Sequence, residues 1–449
     1  MSLHPSLYDE ITIQSESDPN RKVDLRMGVA SVNFFENVLC PTMSMQLLLV
    51  DSGGSITSED TGRKTTIYEG LPIRGGEKVF IRIKANSFSN LDLDFTDTPF
   101  YVRGVKNASL DTKKQVFTLD LVSANGINNE IAFVKKVFPV RKVTDIAQEI
   151  VTDNLQYSPT KIKVDQTSNS IGYSGNLQKP FSALLKLASR GIYAGNTKVG
   201  ATAGYFVYET RRGMNFRAID SLIGKKSLAT YVYTEVNINE VDFKPNPDLP
   251  SLDRKIIKYT ILKNQDMIAN LKTGLYSTER RIFNPIDYTI IPPDQGGFKI
   301  SDFDNQIPTL GLDPVGRKSV ATNQFINNNI DPFQLPSRIL SSTGSYGTYT
   351  KEVTQDLDFN EFDYSSQSLS RYNSLFSQVI SLLVPLNTQL HAGDIITIKV
   401  PETNTAEIGD MDRKNVSGKY MIKEICHSYS ADHSMSSMKI VRDTFGYKA

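Results

Sequence analysis

Short runs of β-forming residues separated by turn residues crowd the first 125 positions, and this pattern constrains the fold more than any other feature. Val79, Ile81 and Ile83 alternate with Phe80, Arg82 and Lys84, which gives a strand one face for a core and one for solvent. Phe100–Val105 and Val116–Val122 follow, and Asn107–Lys114 between them suits a hairpin connection. Asp24–Val38 is rich in β-formers. Thr42–Asp51 ends in Leu47-Leu48-Leu49-Val50, a pattern that predicts a strand buried on both faces. Ser52-Gly53-Gly54 is turn material. Strands at this spacing predict a closed or nearly closed barrel. Trp is absent, so 20 Tyr and 22 Phe supply the aromatic surface, which with Thr, Val and Ile favours sheets over helix bundles.

The character changes near residue 125. A short helix is predicted over Asn128–Val137. Thr144 suits an N-cap, with Asp145 in the first turn, for a helix through about Leu155 that buries Ile146, Ile150 and Val151. Pro180 opens a second helix with Leu184, Leu185, Leu187 and Ala188 toward a core, closed by Gly191 as its C′ glycine. Tyr205–Tyr208 and Met214–Ile219 form a hairpin around Arg211-Arg212-Gly213. Together these make a small α+β unit. Strands return from about Tyr231 and include Ile256–Leu262. Residues from about 300 to 365 are rich in Asn, Gln, Ser, Gly and Pro, with Phe303, Phe325, Phe333, Leu335 and Tyr346 as spaced anchors. Such a stretch cannot bury enough apolar surface to order itself, and reads as an extended arm held by neighbours. Near the end come Ile380–Val384, Ile395–Val400, Tyr420–Ile425 and Met438–Val441, again strand-like.

The chain has 449 residues, and at roughly 100–200 residues per domain this predicts two to four domains. Hydrophobic residues at 39% and charged residues at 22% exclude a wholly disordered chain and an integral membrane protein. Lys plus Arg is 50 against 49 Asp plus Glu, a net charge of +1, which argues against nucleic-acid binding through an overall field. The basic run Lys135-Lys136-Val137-Phe138-Pro139-Val140-Arg141-Lys142 reads as a solvated connector ahead of a phosphate-contacting patch. Cys40 and Cys426 give neither zinc spacing nor a disulfide framework and fit a reducing cytoplasm. No signal-peptide pattern follows Met1, and no run of about 18 apolar residues predicts a membrane span.

Catalytic motifs fail on inspection. Gly224-Lys225-Lys226-Ser227 has Ile219 where a phosphate-cradling loop needs glycine, and Gly172-Tyr173-Ser174-Gly175 lacks the second spacer of a hydrolase elbow. Asp356-Leu357-Asp358-Phe359-Asn360 and Leu91-Asp92-Leu93-Asp94-Phe95 alternate like calcium loops, but are better explained as strands with one polar face. The histidines are His4, His391, His427 and His433; Cys426 and His427 would point to opposite faces of a strand and cannot chelate together. No catalytic, cofactor-binding or metal-binding residue is assigned, and the chain is read as a non-enzyme. A peptidoglycan-degrading enzyme is the weakest alternative, because no helical segment carries a carboxylate pair.

The C-terminal residues carry the most specific signal. They run Val384-Pro385-Leu386, Leu390-His391-Ala392-Gly393-Asp394-Ile395, Ser417-Gly418-Lys419-Tyr420-Met421-Ile422, and Arg442-Asp443-Thr444-Phe445-Gly446. This order resembles the C-terminal barrel of central hub proteins in contractile-tailed phage baseplates, typified by the T-even phage hub. Asn37-Val38-Leu39-Cys40-Pro41, Leu48-Leu49-Val50-Asp51, Leu71–Val79 and the Phe181–Gly191 helix are similar to that family as well. Read without the family, Gly393-Asp394 and Ser417-Gly418 are turns that return the chain into barrel strands.

The resemblance implies a mainly β fold with a smaller α+β part and two tube-like barrels per chain. The expected division is 1–125 for the first barrel, 126–230 for the α+β domain, 231–300 with 375–449 for the second barrel, and 301–374 for the polar arm. It further implies that Arg442 and Asp443 pair across the barrel end. Three chains would form a ring of six similar barrels that faces a sixfold tail tube on one side and a threefold spike on the other. The implied partners are a homotrimer, the central spike protein, tail tube or tube-initiator proteins, and other baseplate (wedge) proteins. Genomic DNA would pass the bore without specific binding. The implied location is the virion tail baseplate, assembled in the host cytoplasm. The alternative is the hub part of a spike protein of a bacterial contractile injection system.

Overall fold

The computed structural model describes residues 6–15, 20–57, 62–71, 73–85, 92–110, 114–195, 203–233, 254–285, 288–290, 297–303, 306–312, 336–343, 361–401, 415–430 and 433–446. The first strands are β1 (Ser6–Gln14), β2 (Lys22–Asp24), β3 (Val29–Asn37), β4 (Ser44–Asp51), β5 (Ile56–Thr57), β6 (Lys64–Thr65), β7 (Lys78–Ala85), β8 (Leu93–Asp94), β9 (Phe100–Leu110) and β10 (Gln115–Val122). Antiparallel pairing runs β3-β4-β10-β9-β7-β1-β2. The sheet curls until the Ser6 hydroxyl meets the Ser434 hydroxyl and the Tyr8 hydroxyl donates to the Tyr429 carbonyl at 3.2 Å, so the ring is nearly closed. Its interior holds Leu47, Leu49, Ile81, Ile83, Phe117 and Leu119, all buried. Each such side chain contributes about 1.5–3 kcal/mol on burial. In β4 only alternate residues are buried, and Leu48 and Val50 are half-buried on the outer face, so the strand is not covered on both sides as its composition suggests. An antiparallel barrel has only one face turned to its core.

The α+β unit holds β11 (Val137–Lys142), β12 (Ile162–Val164), β13 (Ser170–Ser174), β14 (Tyr205–Thr210) and β15 (Gly213–Ala218). They pair as β11–β13 and β12–β15–β14. The helices are Ala124–Ile131, Val143–Glu149 with a π turn to Asn154, Pro180–Arg190 and the short Ile219–Ile223. Thr144 does not cap: Lys142 holds that position, and the buried Thr144 hydroxyl donates to the Thr167 hydroxyl at 3.0 Å and to the Asp165 carbonyl at 3.2 Å. Gly191 is not left-handed either, with φ −73°. Its reason is space: a Cβ there would stand 2.6 Å from the Tyr205 ring. Leu185, expected in the core, faces outward, because Ala183, Leu184, Leu187 and Ala188 already fill the buried stripe.

The remaining strands are β16 (Ala229–Tyr233), β17 (Lys255–Ile256), β18 (Lys258–Asn264), β19 (Ser277–Asn284), β20 (Thr289–Ile290), β21 (Gly297–Lys299), β22 (Arg338–Thr343), β23 (Gln378–Pro385), β24 (Ile395–Lys399), β25 (Gly418–Ser430) and β26 (Ser434–Arg442). Pairing runs β16-β24-β25-β26-β23-β18, and β17, which leads directly into β18, pairs back with β16. This second ring is closed, around Tyr231, Ile256, Ile380, Leu382, Ile398, Tyr420 and Ile440.

Residues 231–300 divide between two places. β16 to β18 enter the closed barrel, whereas β19, β20 and β21 pair with β22 in a separate small sheet. The helices Met267–Thr273 and Glu361–Leu375 lie beside that sheet. Its core is Leu275, Tyr276, Phe298, Ile300 and Ile307, with Phe303 stacked on Phe298 at 5.4 Å. The stretch expected as an arm over 301–374 therefore contributes a strand and a helix to a packed unit. Residues 313–335 and 344–360, with Phe325, Phe333, Leu335, Tyr346 and the run Asp356–Asn360, lie outside the described residues.

One strand serves both barrels. Gly418–Met421 of β25 pairs with β24, and Glu424–Ser430 pairs with Asn37–Ser31 of β3, with a register shift between Ile422 and Glu424. A bulge lets a strand bend and twist locally. The two barrels are thus joined through a continuous backbone ladder.

Candidate functional site at the junction of the two barrels

The turn between β14 and β15 drives its tip into the seam where both barrels meet. Glu36 on β3 is 1% exposed and accepts hydrogen bonds from three directions. The Arg211 N–H at the hairpin tip donates at 2.8 Å, the Ala392 N–H at 3.1 Å, and His391 Nδ1 at 3.0 Å. Its carboxylate thereby ties the first barrel, the α+β unit and the β23–β24 loop together. Burial pushes the Glu36 carboxyl up, but the His391 hydrogen bond and charge, with the Arg211 N–H, outweigh it and hold it below the usual range. His427 lies nearby on β25, stacked on Phe34 and bonded to the Ser436 hydroxyl at 2.9 Å. Burial lowers its imidazole to about 4, so it is neutral at pH 7.

The tip's arginines reach further. The Arg211 guanidinium donates to the Asp92 carbonyl at 2.8 Å and the Thr388 carbonyl at 3.2 Å, and Arg212 donates to the Asp394 carboxylate at 3.2 Å and the Gln389 carbonyl at 2.6 Å. Gly213 has φ +120°, and a Cβ there would stand 2.0 Å from the Lys161 carbonyl oxygen, so only glycine closes this turn. Gly393 has φ +82° and packs under the Tyr208 hydroxyl, so the Gly393-Asp394 turn does return the chain into β24. On the hairpin's other side, Glu209 accepts from the Ser123 hydroxyl at 2.5 Å, the Asn125 amide at 2.7 Å and the Met43 N–H at 3.1 Å.

A second buried cluster fastens the C-terminus. Arg371, 1% exposed, donates to Asp220 at 3.1 Å, to Asp443 at 3.1 Å and to the Pro308 carbonyl at 2.7 Å. Asp443 also accepts from the Leu310 N–H at 3.0 Å. The expected Arg442–Asp443 pairing is replaced: Arg442 donates to the Ser417 and Asn415 carbonyls and lies over the Tyr420 ring. Asp443, one residue past the end of the strand, turns the other way to Arg371. Beside this cluster the Tyr372 hydroxyl donates to the Tyr205 carbonyl and accepts from the Tyr205 N–H at 2.9 Å. Replacing Tyr372 by Phe should cost about 1–2 kcal/mol in urea unfolding, because two buried backbone groups lose that partner. An unchanged midpoint would show that the hydroxyl does not fasten the helix to the α+β unit.

The arrangement is a fastening. Its charged groups are committed to one another and to backbone across element boundaries. Signals for it in the sequence were faint: Glu36, Glu209, Asp220 and Arg371 lie in no motif, whereas His391, Gly393, Asp394, Arg442 and Asp443 are among the site residues that fall within the quoted C-terminal run.

No family model and no curated protein matches this chain. Among solved structures it is similar to a tail protein from Neisseria meningitidis MC58, at 8% identity and a TM-score of 0.54, over 98% of this chain and 97% of that one. It is similar also to a 43 kDa tail protein of prophage MuSo2 from Shewanella oneidensis, at 11% identity and a TM-score of 0.52, over 97% of this chain and 98% of that one. At such identities the likeness is one of fold, and it spans the barrels, the α+β unit and the small side unit together. The chain shares its fold with these two tail proteins.

Proposed function

We propose that the chain is a central hub of a phage tail baseplate, a trimeric connector that adapts a sixfold tail tube to a threefold central spike. The observation that supports this most is the shared strand β25, which fuses a closed and a nearly closed barrel into one rigid pair. Three such pairs supply six barrels in a ring, the number a sixfold tube requires. The buried ties of Glu36, Glu209 and Arg371 hold the α+β unit and the side unit to that pair. A connector under load needs such fixed geometry, and its free energy comes from large interfaces, with no bond chemistry. In this role the hub contacts spike, tube and wedge proteins, and DNA passes the bore without sequence-specific contact. It would be assembled in the host cytoplasm and carried in the virion tail. Light scattering should give about 150 kDa, three chains of 50.1 kDa, for the chain alone, or that mass plus the mass of the bound spike when the spike protein is present. A chain that stays monomeric at high concentration with the spike present would overturn the proposal.

A further inference from the structure

The α+β unit presents an exposed face around the basic run Lys135–Lys142 that none of the buried ties described above uses. There the chain from Ile131 to Val137 lies antiparallel to Ser174–Gln178. The Val134 N–H donates to the Gln178 carbonyl at 2.9 Å, the Leu177 N–H to the Val134 carbonyl at 3.0 Å, and the Gly175 N–H to the Lys136 carbonyl at 3.0 Å. Alternation turns Val134 and Phe138 into the core and sends Phe133, Lys135 and Val137 outward. Ile131 is 72% exposed, Val137 70% and Leu177 62%.

Leu177 is also strained. The turn Gly175–Gln178 is closed by the Gln178 N–H on the Gly175 carbonyl at 2.9 Å, and its central residues Asn176 and Leu177 have φ +43° and +57°. Asparagine accepts that conformation, but the second central position of such a turn favours glycine and penalises a branched side chain. Burial within the chain does not offset the penalty, since most of the Leu177 side chain is in solvent. Cations surround the apolar residues. Lys135 and Lys142 are exposed, the Lys179 ammonium lies 4.1 Å from the centre of the Phe133 ring while donating to the Glu130 carbonyl, and Lys136 and Arg141 share Glu149.

We propose that this face docks an acidic segment of another protein, whose apolar side chains cover Ile131, Phe133, Val137 and Leu177 and whose carboxylates meet Lys135 and Lys179. A phosphate backbone would use the cations and leave the four apolar side chains in water. Those exposed apolar side chains favour a protein over a nucleic acid.

The test titrates the full chain, by fluorescence anisotropy, with three labelled probes: a short amphipathic Leu/Glu peptide, its Leu/Lys counterpart, and duplex DNA. The Leu/Glu peptide should bind saturably and the other two should not. Leu177→Gly should weaken that binding about tenfold while raising the thermal midpoint, because it removes both the contact and the strain. A paired Phe133→Ser and Val137→Ser variant, checked for an unchanged far-UV spectrum, should weaken binding at least as much. No saturable binding of the Leu/Glu peptide, equal or tighter binding of the Leu/Lys peptide or DNA, or undiminished binding by Leu177→Gly would each overturn the proposal.

Discussion

Replacing Arg371 by Met should lower the unfolding free energy by about 3–5 kcal/mol, the loss typical when one member of a buried ion cluster is removed. Arg371 is among the largest fully buried side chains of the described residues, and it answers two buried carboxylates, Asp220 and Asp443, and the Pro308 carbonyl. Met fills similar volume without charge, so the cost falls on the carboxylates left in a low-dielectric setting. Urea denaturation measures it directly. A triple variant with Asp220→Asn and Asp443→Asn added should recover part of the loss, since the stranded charges are then gone. If Arg371→Met costs under about 1 kcal/mol, the cluster is not what fastens the Glu361–Leu375 helix and the C-terminus to the α+β unit.

The second large effect is a pH dependence centred on Glu209. This carboxyl has an ordinary value of 4.5, and in the fold burial pushes it up to about 7, with the Glu36 charge adding to the rise. Hydrogen bonds from Ser123, Met43 and Asn125 pull the other way without overcoming burial. Between those two values the folded chain keeps a proton that the unfolded chain has released. Stability therefore falls as pH rises from about 4.5 through about 7, and the loss is complete above that. The difference corresponds to about 3 kcal/mol at most. Glu209→Gln keeps the shape and an acceptor oxygen while removing the titration. Its unfolding free energy, compared with that of the wild type near pH 5 and near pH 8, should show the gap between them widening in the variant's favour at the higher pH. Taking the difference cancels groups such as Glu36, whose lowered value acts in the acid range. Parallel pH profiles for the two proteins would rule out a titrating Glu209.

The alternation in β7 and β10, the hairpin between β14 and β15, and the turns at Gly393 and Gly418 were legible because each is a local event. Period-two patterning and glycine's access to positive φ act within a few residues. The helix starts were less legible. Thr144 has the chemistry of a cap, yet the hydroxyl found a better partner in Thr167, twenty-three residues away. Gly191 looked like a helix end and turned out to be clearance for the Tyr205 ring. In both cases a long-range contact outweighed a local preference.

By itself, then, the sequence determined that strands form at both ends, that an α+β unit separates them, and that no large net charge drives a nucleic-acid role. Tertiary structure decided the rest. Only in three dimensions does β25 bend at its bulge to serve two barrels, and only there does β19 leave the neighbourhood of β18 to pair with β22, sixty residues on. The junction carboxylates were invisible for the same reason. Glu36, Glu209 and Asp443 become a site only when donors 84 to 175 residues away in the chain close around them, because a buried charge takes its meaning from the donors that packing brings to it.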